Sequence, residues 1–338
     1  MNRSPNHAAV LAGIGGYVPA NRVTNADLIA GGLDTSDEWI RTRTGIATRH
    51  VAQQGVATSD LAVEAASRAL KSAGSREVDA VVLATTTPDR TCPATAPDVA
   101  ARLGLHEVAA FDVAAVCSGF LYGLATASGL IASGFAERVL LVAADTFSTI
   151  VNPADRSTAV IFGDGAGAVV LRAGNADDPG AIGPTVLYSD GAHSDLIEVP
   201  AGGARQRASG VAAPAEDFFF RMQGRETYRH AVTRMTEASR EAVRLAGWNI
   251  EDIDRFAAHQ ANARILDSVA THLEIPPERR LSNIKHVGNT GAASLALLLA
   301  QSADTGRLAA GHKVLLTAFG GGLSWGATTI GWPDLPAL

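Results

Sequence analysis

Cysteine is scarce in this sequence, with two in 338 residues. Cys92 and Cys117 cannot build a disulfide framework, and neither lies in a C-x-x-C or similar metal-binding arrangement. Both read as free thiols in a reducing cytoplasm. The histidines show no H-x-x-x-H or Cys/His ligand spacing, so no metal is expected. Basic charge is also short: the formal net charge of −6 excludes nucleic acid or an anionic membrane as the main partner, since either calls for a broad basic surface. Long apolar runs are missing as well. The stretch from Ala8 to Val18 is interrupted by Gly13, Gly15 and Gly16 and meets Pro19, which is too broken for a signal peptide or a membrane span. Neither that run nor Gly163-x-Gly165-x-Gly167 matches G-x-G-x-x-G; both read as turns, and no dinucleotide cofactor is expected. With 47% hydrophobic and 18% charged residues, the chain can still fill the cores of two ordinary domains.

What is present is a repeat. A helical pattern from Leu61 to Gly74 leads to the apolar run Val78 to Leu83, then to a small-residue segment at Cys117, then to Arg138 to Ala143. The second pass has Thr236 to Gly247, Ile253 to Phe256, a segment from Asn289, and Lys313 to Ala318. Asp79 and Asp254 lie 175 residues apart (254 − 79), Gly119 and Gly291 172 (291 − 119), Val139 and Val314 175 (314 − 139). Alternating strand and helix patterns predict a helix-covered, mainly parallel sheet in each half. The halves are expected over residues 1–173 and 218–338, with residues 174–217 as a partly ordered connection enclosing the strand-like Thr185-Val186-Leu187-Tyr188. Segments 117–134 and 289–300 carry no charge; helices without a polar face must be buried all round, so they are expected back to back with their N-terminal ends at a common pocket.

Cys117 follows the strand-like Phe111 to Val116 and opens one of these helices. A helix N-terminus favours a thiolate, so its pKa is expected below the free value of about 8.5. Cys92 precedes Pro93 with no helix start beside it and reads as non-catalytic. Phe319-Gly320-Gly321-Gly322 follows the last strong strand, where side-chain-free backbone can aim N–H groups into the pocket. His259 and Asn289 fall at a strand end and a helix start on the same side. Each can donate a hydrogen bond to a developing oxyanion without bringing a charge of its own. Each also fits an ordinary capping or core role.

Cys117 in Ala-Ala-Val-Cys-Ser-Gly-Phe, His259 in His-Gln-Ala-Asn and Asn289 in Gly-Asn-Thr-Gly-Ala together resemble the ketosynthase III family of β-ketoacyl-carrier-protein synthases. The likeness runs from Gly13 to Trp325 and includes Thr35 to Ile40, Arg41 to Ile46 and Phe162 to Ala168. It implies a thiolase-like α/β fold, two similar halves in five α-β-α-β-α layers, and a homodimer. It implies that a short acyl-CoA primer loads Cys117 and that malonyl carrier protein supplies the second unit by decarboxylative condensation. His259 and Asn289 would hold the enolate, and the N–H groups of Cys117 and Gly321 would form the oxyanion hole. Trp39 and Arg156 match residues that sandwich the coenzyme A adenine; Thr35, Arg43, Gly224, Tyr228, Asn262 and Phe319 match substrate-binding positions. Arg229 and Arg264 match positions facing the acidic carrier protein. Cys92 stands where acetyl-specific relatives often carry phenylalanine supplied by the partner subunit, which implies room for longer or branched primers. Coenzyme A enters as substrate, and no cofactor is implied. Three rivals stay in view: an acyltransferase to a hydroxyl or amine, a noncatalytic chain-length partner subunit, and a cysteine hydrolase. Neither the primer, nor the carrier protein, nor a choice between fatty-acid and polyketide synthesis follows from the residues.

Overall fold

The computed structural model describes residues 8–335. In chain order the strands are β1 Ala8–Tyr17, β2 Arg22–Thr24, β3 Thr48–His50, β4 Ala80–Ala84, β5 Ala109–Val113, β6 Arg138–Asp145, β7 Gly165–Gly174, β8 Val186–Ser189, β9 Ile197–Glu198, β10 Arg221–Met222, β11 Arg255–Ala258, β12 Lys313–Gly320 and β13 Ser324–Gly331. The α-helices are α1 Asn25–Ala30, α2 Asp37–Thr44, α3 Thr58–Ser72, α4 Ala96–Arg102, α5 Gly119–Ala132, α6 Ala204–Ala208, α7 Gly224–Leu245, α8 Ala263–His272, α9 Ile284–Val287 and α10 Ser294–Asp304.

The repeat in the sequence becomes a repeat in topology. The first sheet runs β1-β7-β6-β4-β5, with β4, β5 and β6 parallel and β1 and β7 antiparallel. The second runs β11-β12-β13-β8, with β11 parallel to β12 and the others antiparallel. Thus β4, β6, β7 and β1 correspond to β11, β12, β13 and β8. Where β5 borders β4 in the first sheet, a parallel bridge from Arg280 to Phe256 borders β11 in the second. β4 is buried at every position, as a strand covered on both faces must be.

One sequence expectation gains detail here and another changes. β8 lies inside the segment read as a connection, yet it is the edge strand of the second sheet and pairs with Ser324 to Ala327. That pairing spans about 140 residues, so the strand-like run from Thr185 to Tyr188 is visible in the sequence while its partner is not. The glycines at 13, 15 and 16 lie within β1, and those at 165 and 167 within β7, not in turns. The reason is close approach: a Cβ on Gly167 would fall 2.5 Å from the backbone N of Leu297 and from Cβ of Ala296, so glycine lets β7 touch α10.

α5 and α10 form the middle layer and share one core with both sheets, including Leu121, Leu124, Leu141, Leu295, Leu298 and Leu316. α3 and α4 cover the outer face of the first sheet through Leu61, Ala65, Ala69 and Val99, a stripe at helical spacing on α3. α7 and α8 cover the second through Ala231, Met235, Ala238, Ala242 and Val269. The five α-β-α-β-α layers follow. α7 begins 12 residues before the helical pattern visible from Thr236 (236 − 224), because Arg225, Glu226, Arg229 and Arg234 in its first three turns mask the narrow buried face of Thr227 and Ala231.

Gly167→Ala should lower stability by about 1–3 kcal/mol through overpacking. Gly203→Ala, where a Cβ meets nothing within 4 Å, should stay within about 0.5 kcal/mol. Urea unfolding of the two variants checks the contrast; equal stability would mean that α10 yields at Gly167.

Candidate active site

Cys117 sits in a 3-10 turn, Val116–Ser118, between β5 and α5. The turn is sharp enough to put Val116 at φ 45°, a left-handed conformation rare for a β-branched residue and one that must be held by its surroundings. The hold comes from the other half of the molecule. Ser118 Oγ and Ser324 Oγ lie 2.6 Å apart, so one hydroxyl donates to the other, and the remaining hydroxyl hydrogen goes to a carbonyl, that of Ala115 at 2.7 Å from Ser118 or that of Gly321 at 2.9 Å from Ser324. A Cβ on Gly320 would lie 2.7 Å from the backbone N of Cys117. Glycine is therefore required where β12 passes the cysteine turn.

His259 is one residue past β11, its N–H donating to the Thr317 carbonyl at 2.8 Å. Asn289 is pinned to the first half: its N–H donates to the Ile161 carbonyl and its carbonyl accepts from the Gly163 N–H, both at 2.9 Å. The Asn289 Oδ1 accepts from the Gly291 N–H at 3.0 Å, so the amide NH2 is the free end of the side chain. All three side chains line one cavity of about 650 Å³. They are its buried end, at 9%, 2% and 5% exposure for Cys117, His259 and Asn289, whereas Arg43, Gly224, Arg225, Tyr228 and Arg264 are exposed and mark its mouth.

Burial sets the electrostatics. Desolvation brings the His259 pKa down to about 3, so the imidazole is neutral at any working pH. Desolvation also pushes the Cys117 thiol up, the buried charge of Asp145 pushes it further, and its own backbone N–H opposes this only partly. Burial thus works against the lowered thiol pKa expected from the helix terminus, whose first α-helical residue is Gly119, two positions on. Asp145, absent from the sequence reading, ends β6 with its pKa raised by burial to about 6. Its Oδ1 accepts from the Thr85 hydroxyl at 3.0 Å and the Thr86 N–H at 2.6 Å, and its Oδ2 from the Ala292 N–H at 2.7 Å, tying the first sheet to the turn after Asn289.

Of the other residues singled out in the sequence, Arg43, Gly224, Tyr228, Asn262, Arg264 and Phe319 line the cavity. Asn262 caps α8 by accepting from the Arg264 N–H at 2.9 Å and donates to the Arg43 carbonyl at 3.0 Å. Trp39 lies beside the mouth, with the guanidinium carbons of Arg156 and Arg43 at 4.9 and 5.9 Å from its ring centroid. Arg156 also donates to the Asp34 carbonyl at 3.1 Å, next to Thr35. A base sandwiched between ring and guanidinium needs them about 7 Å apart, two contacts of about 3.5 Å, so Arg156 has to swing outward to admit one. Gly321 is buried beside Ile197 and Val116 but is not part of the cavity wall, which reaches Gly320. Arg229 is exposed and paired with Glu226 at 3.3 Å. Cys92 is exposed and away from the cavity. The sequence reading missed Ile161, Phe162, Ile197, Phe220 and Met222 of the wall, and also Thr227, Ala231 and Met235, whose four-residue spacing on α7 was the available signal. Among the described residues, no group of three or more His, Cys, Asp or Glu could hold a metal ion, and no helix is long and apolar enough to cross a membrane.

This geometry has close counterparts. The model for the 3-oxoacyl-[acyl-carrier-protein] synthase III family matches residues 111–191, and that for its C-terminal part residues 243–332. A β-ketoacyl-[acyl-carrier-protein] synthase III of Streptomyces coelicolor is 59% identical over 96% of this chain and 98% of that protein. The chain belongs to the β-ketoacyl-[acyl-carrier-protein] synthase III family. The crystal structure of a synthase III from Pseudomonas aeruginosa superimposes with a TM-score of 0.91 at 48% identity, covering 97% of this chain and 99% of that one. The priming β-ketosynthase of the R1128 polyketide pathway also gives 0.91, at 34% identity and 99% coverage of both. The fold is thus thiolase-like and the protein is an acyl-transferring condensing enzyme; transfer to a hydroxyl or amine without condensation is not what these synthase III relatives support.

A raised thiol pKa has a kinetic signature in this enzyme. Alkylation of Cys117 by iodoacetamide should be slower than that of exposed Cys92 at pH 8 and should still climb about tenfold per pH unit above pH 9. Peptide mapping over a pH series measures both rates, and a plateau for Cys117 below pH 8 would refute the raised pKa.

Proposed function

We propose that Cys117 is the acylated nucleophile and that His259 and Asn289 hold the enolate formed from the malonyl unit. One observation carries this reading: the thiol, the imidazole and the free amide NH2 meet at the buried end of one cavity, with no charged side chain in that trio. The sulfur attacks the carbonyl of an acyl-CoA, the C–S bond to coenzyme A breaks, and the thiol proton leaves with the coenzyme A thiol. N–H groups of Cys117 and Gly321 are assigned to the oxyanion of that step. Malonyl carrier protein then enters, loss of CO2 leaves its electron pair as an enolate, and that carbon attacks the acyl-cysteine. The thiolate released takes up one proton. Neutral donors suit the middle step, because an imidazolium would protonate the enolate before it reacts.

Trp39 and Arg156 are assigned to the adenine of coenzyme A, and Thr35, Arg43, Gly224, Tyr228, Asn262 and Phe319 to the arm that crosses the cavity. Arg229 and Arg264 are assigned to the acidic carrier protein. The enzyme is assigned to the cytoplasm, with coenzyme A as a substrate and no cofactor. A homodimer is supported by the outer edge of β5, which pairs with no other strand among the described residues and is a template for a further one. In such a dimer Cys92 would reach the partner's acyl pocket, and its small side chain would leave room for primers longer or more branched than acetyl.

Cys117→Ala should abolish acyl loading and condensation while retaining some malonyl decarboxylation. His259→Ala and Asn289→Ala should load acyl groups near the normal rate and lose decarboxylation by about 10²–10³-fold. Intact-mass spectra after exposure to acyl-CoA, with CO2 release from malonyl carrier protein, separate the steps; loading blocked more than decarboxylation in His259→Ala would sink the assignment. The same spectra with acetyl-, propionyl-, butyryl- and isobutyryl-CoA test the pocket. Good acetyl loading beside failure of all three longer primers would remove the role given to Cys92.

A further inference from the structure

His259 can act as a donor only if its single proton is on the nitrogen facing the cavity, and the residue that decides this is visible. Ser294, the first residue of α10, is 1% exposed. Its Oγ is 2.7 Å from the backbone N of Gln260 and 2.9 Å from Nδ1 of His259. A backbone N–H can only donate, so the contact with Gln260 consumes a lone pair on Oγ. The hydroxyl hydrogen then needs an acceptor. Among the described residues, Nδ1 of His259 is the one acceptor the Ser294 hydroxyl reaches. The Gln260 backbone is itself locked, since its Oε1 accepts from the Ser282 hydroxyl at 2.9 Å and the Asn283 N–H at 3.0 Å while its Nε2 donates to the Ala258 carbonyl at 2.8 Å.

We propose that Ser294 is a positioning residue that donates its hydroxyl hydrogen to Nδ1 of His259 and so keeps the imidazole proton on Nε2, toward the cavity. The opposite tautomer would leave a buried hydroxyl hydrogen with no acceptor and would present a bare lone pair to an enolate oxygen. Ser294 thus plays for His259 the part that Gly291 plays for Asn289, whose acceptor oxygen is likewise occupied so that the N–H end is free. The catalytic consequence rests on the enolate role proposed for His259; the tautomer does not.

The test reads both. In 15N-histidine-labelled enzyme, with His259 assigned by the signal lost in His259→Ala, Nδ1 should resonate as an unprotonated nitrogen and Nε2 as a protonated one. Ser294→Ala should bring the two shifts toward each other, and Ser294→Thr, which keeps the hydroxyl, should restore the separation. Malonyl decarboxylation should fall about 10–100-fold in Ser294→Ala, less than on losing a donor outright, and recover in Ser294→Thr. A protonated Nδ1 in the unaltered enzyme, or shifts unchanged in Ser294→Ala, would overturn the proposal without the need for any variant to be active. Shifts that converge while decarboxylation holds steady would uphold the role of Ser294 and overturn instead the enolate role of His259.

Discussion

The structure depends on how close two helices without a charged face come between two sheets. α5 and α10 have no polar face, and small residues on them and on the strands they cross, such as Gly167 of β7, let their N-terminal turns meet at the centre of the molecule. Most of the residues proposed for the chemistry are attached to those turns. Cys117 is in the turn before α5, Asn289 just ahead of the turn before α10, and Ser294 is the first residue of α10 itself.

Burial at that centre has an electrostatic result. A thiol, an imidazole and a carboxamide are all uncharged in the resting protein, because the medium that makes room for an apolar core penalises ions. Specificity of hydrogen bonding takes the place of charge. The acceptor oxygen of Asn289 is occupied by the Gly291 N–H, and in the proposed tautomer Nδ1 of His259 is occupied by Ser294, so that each would offer an N–H to the cavity. Such a site is pre-organised to stabilise charge that appears only during reaction.

The two halves are also stitched together at the site. Asp145 at the end of β6 reaches Ala292, Asn289 pairs with Ile161 and Gly163, and Ser118 meets Ser324. Each contact joins a first-half residue to a second-half one. The duplicated sheets therefore place the chemistry where neither half alone has a complete cavity.

Much of this was legible in the chain as letters. Strands β4, β6, β11 and β12 and the two central helices announce themselves because their patterns are local: apolar runs of strand length, and long stretches without charge. Cys117, His259 and Asn289 stand in short motifs whose meaning does not depend on distance. What remained hidden was long-range. The pairing of β8 with β13, the glycines within β1 and β7, Asp145 and Ser294 all act through partners far away in sequence, and a periodicity cannot show them. The thiol pKa is the clearest case. The sequence alone determined that a cysteine stands near a helix start, but whether helix terminus or burial dominates depends on how much water the sulfur can see, and only the packing of two sheets around it decided that.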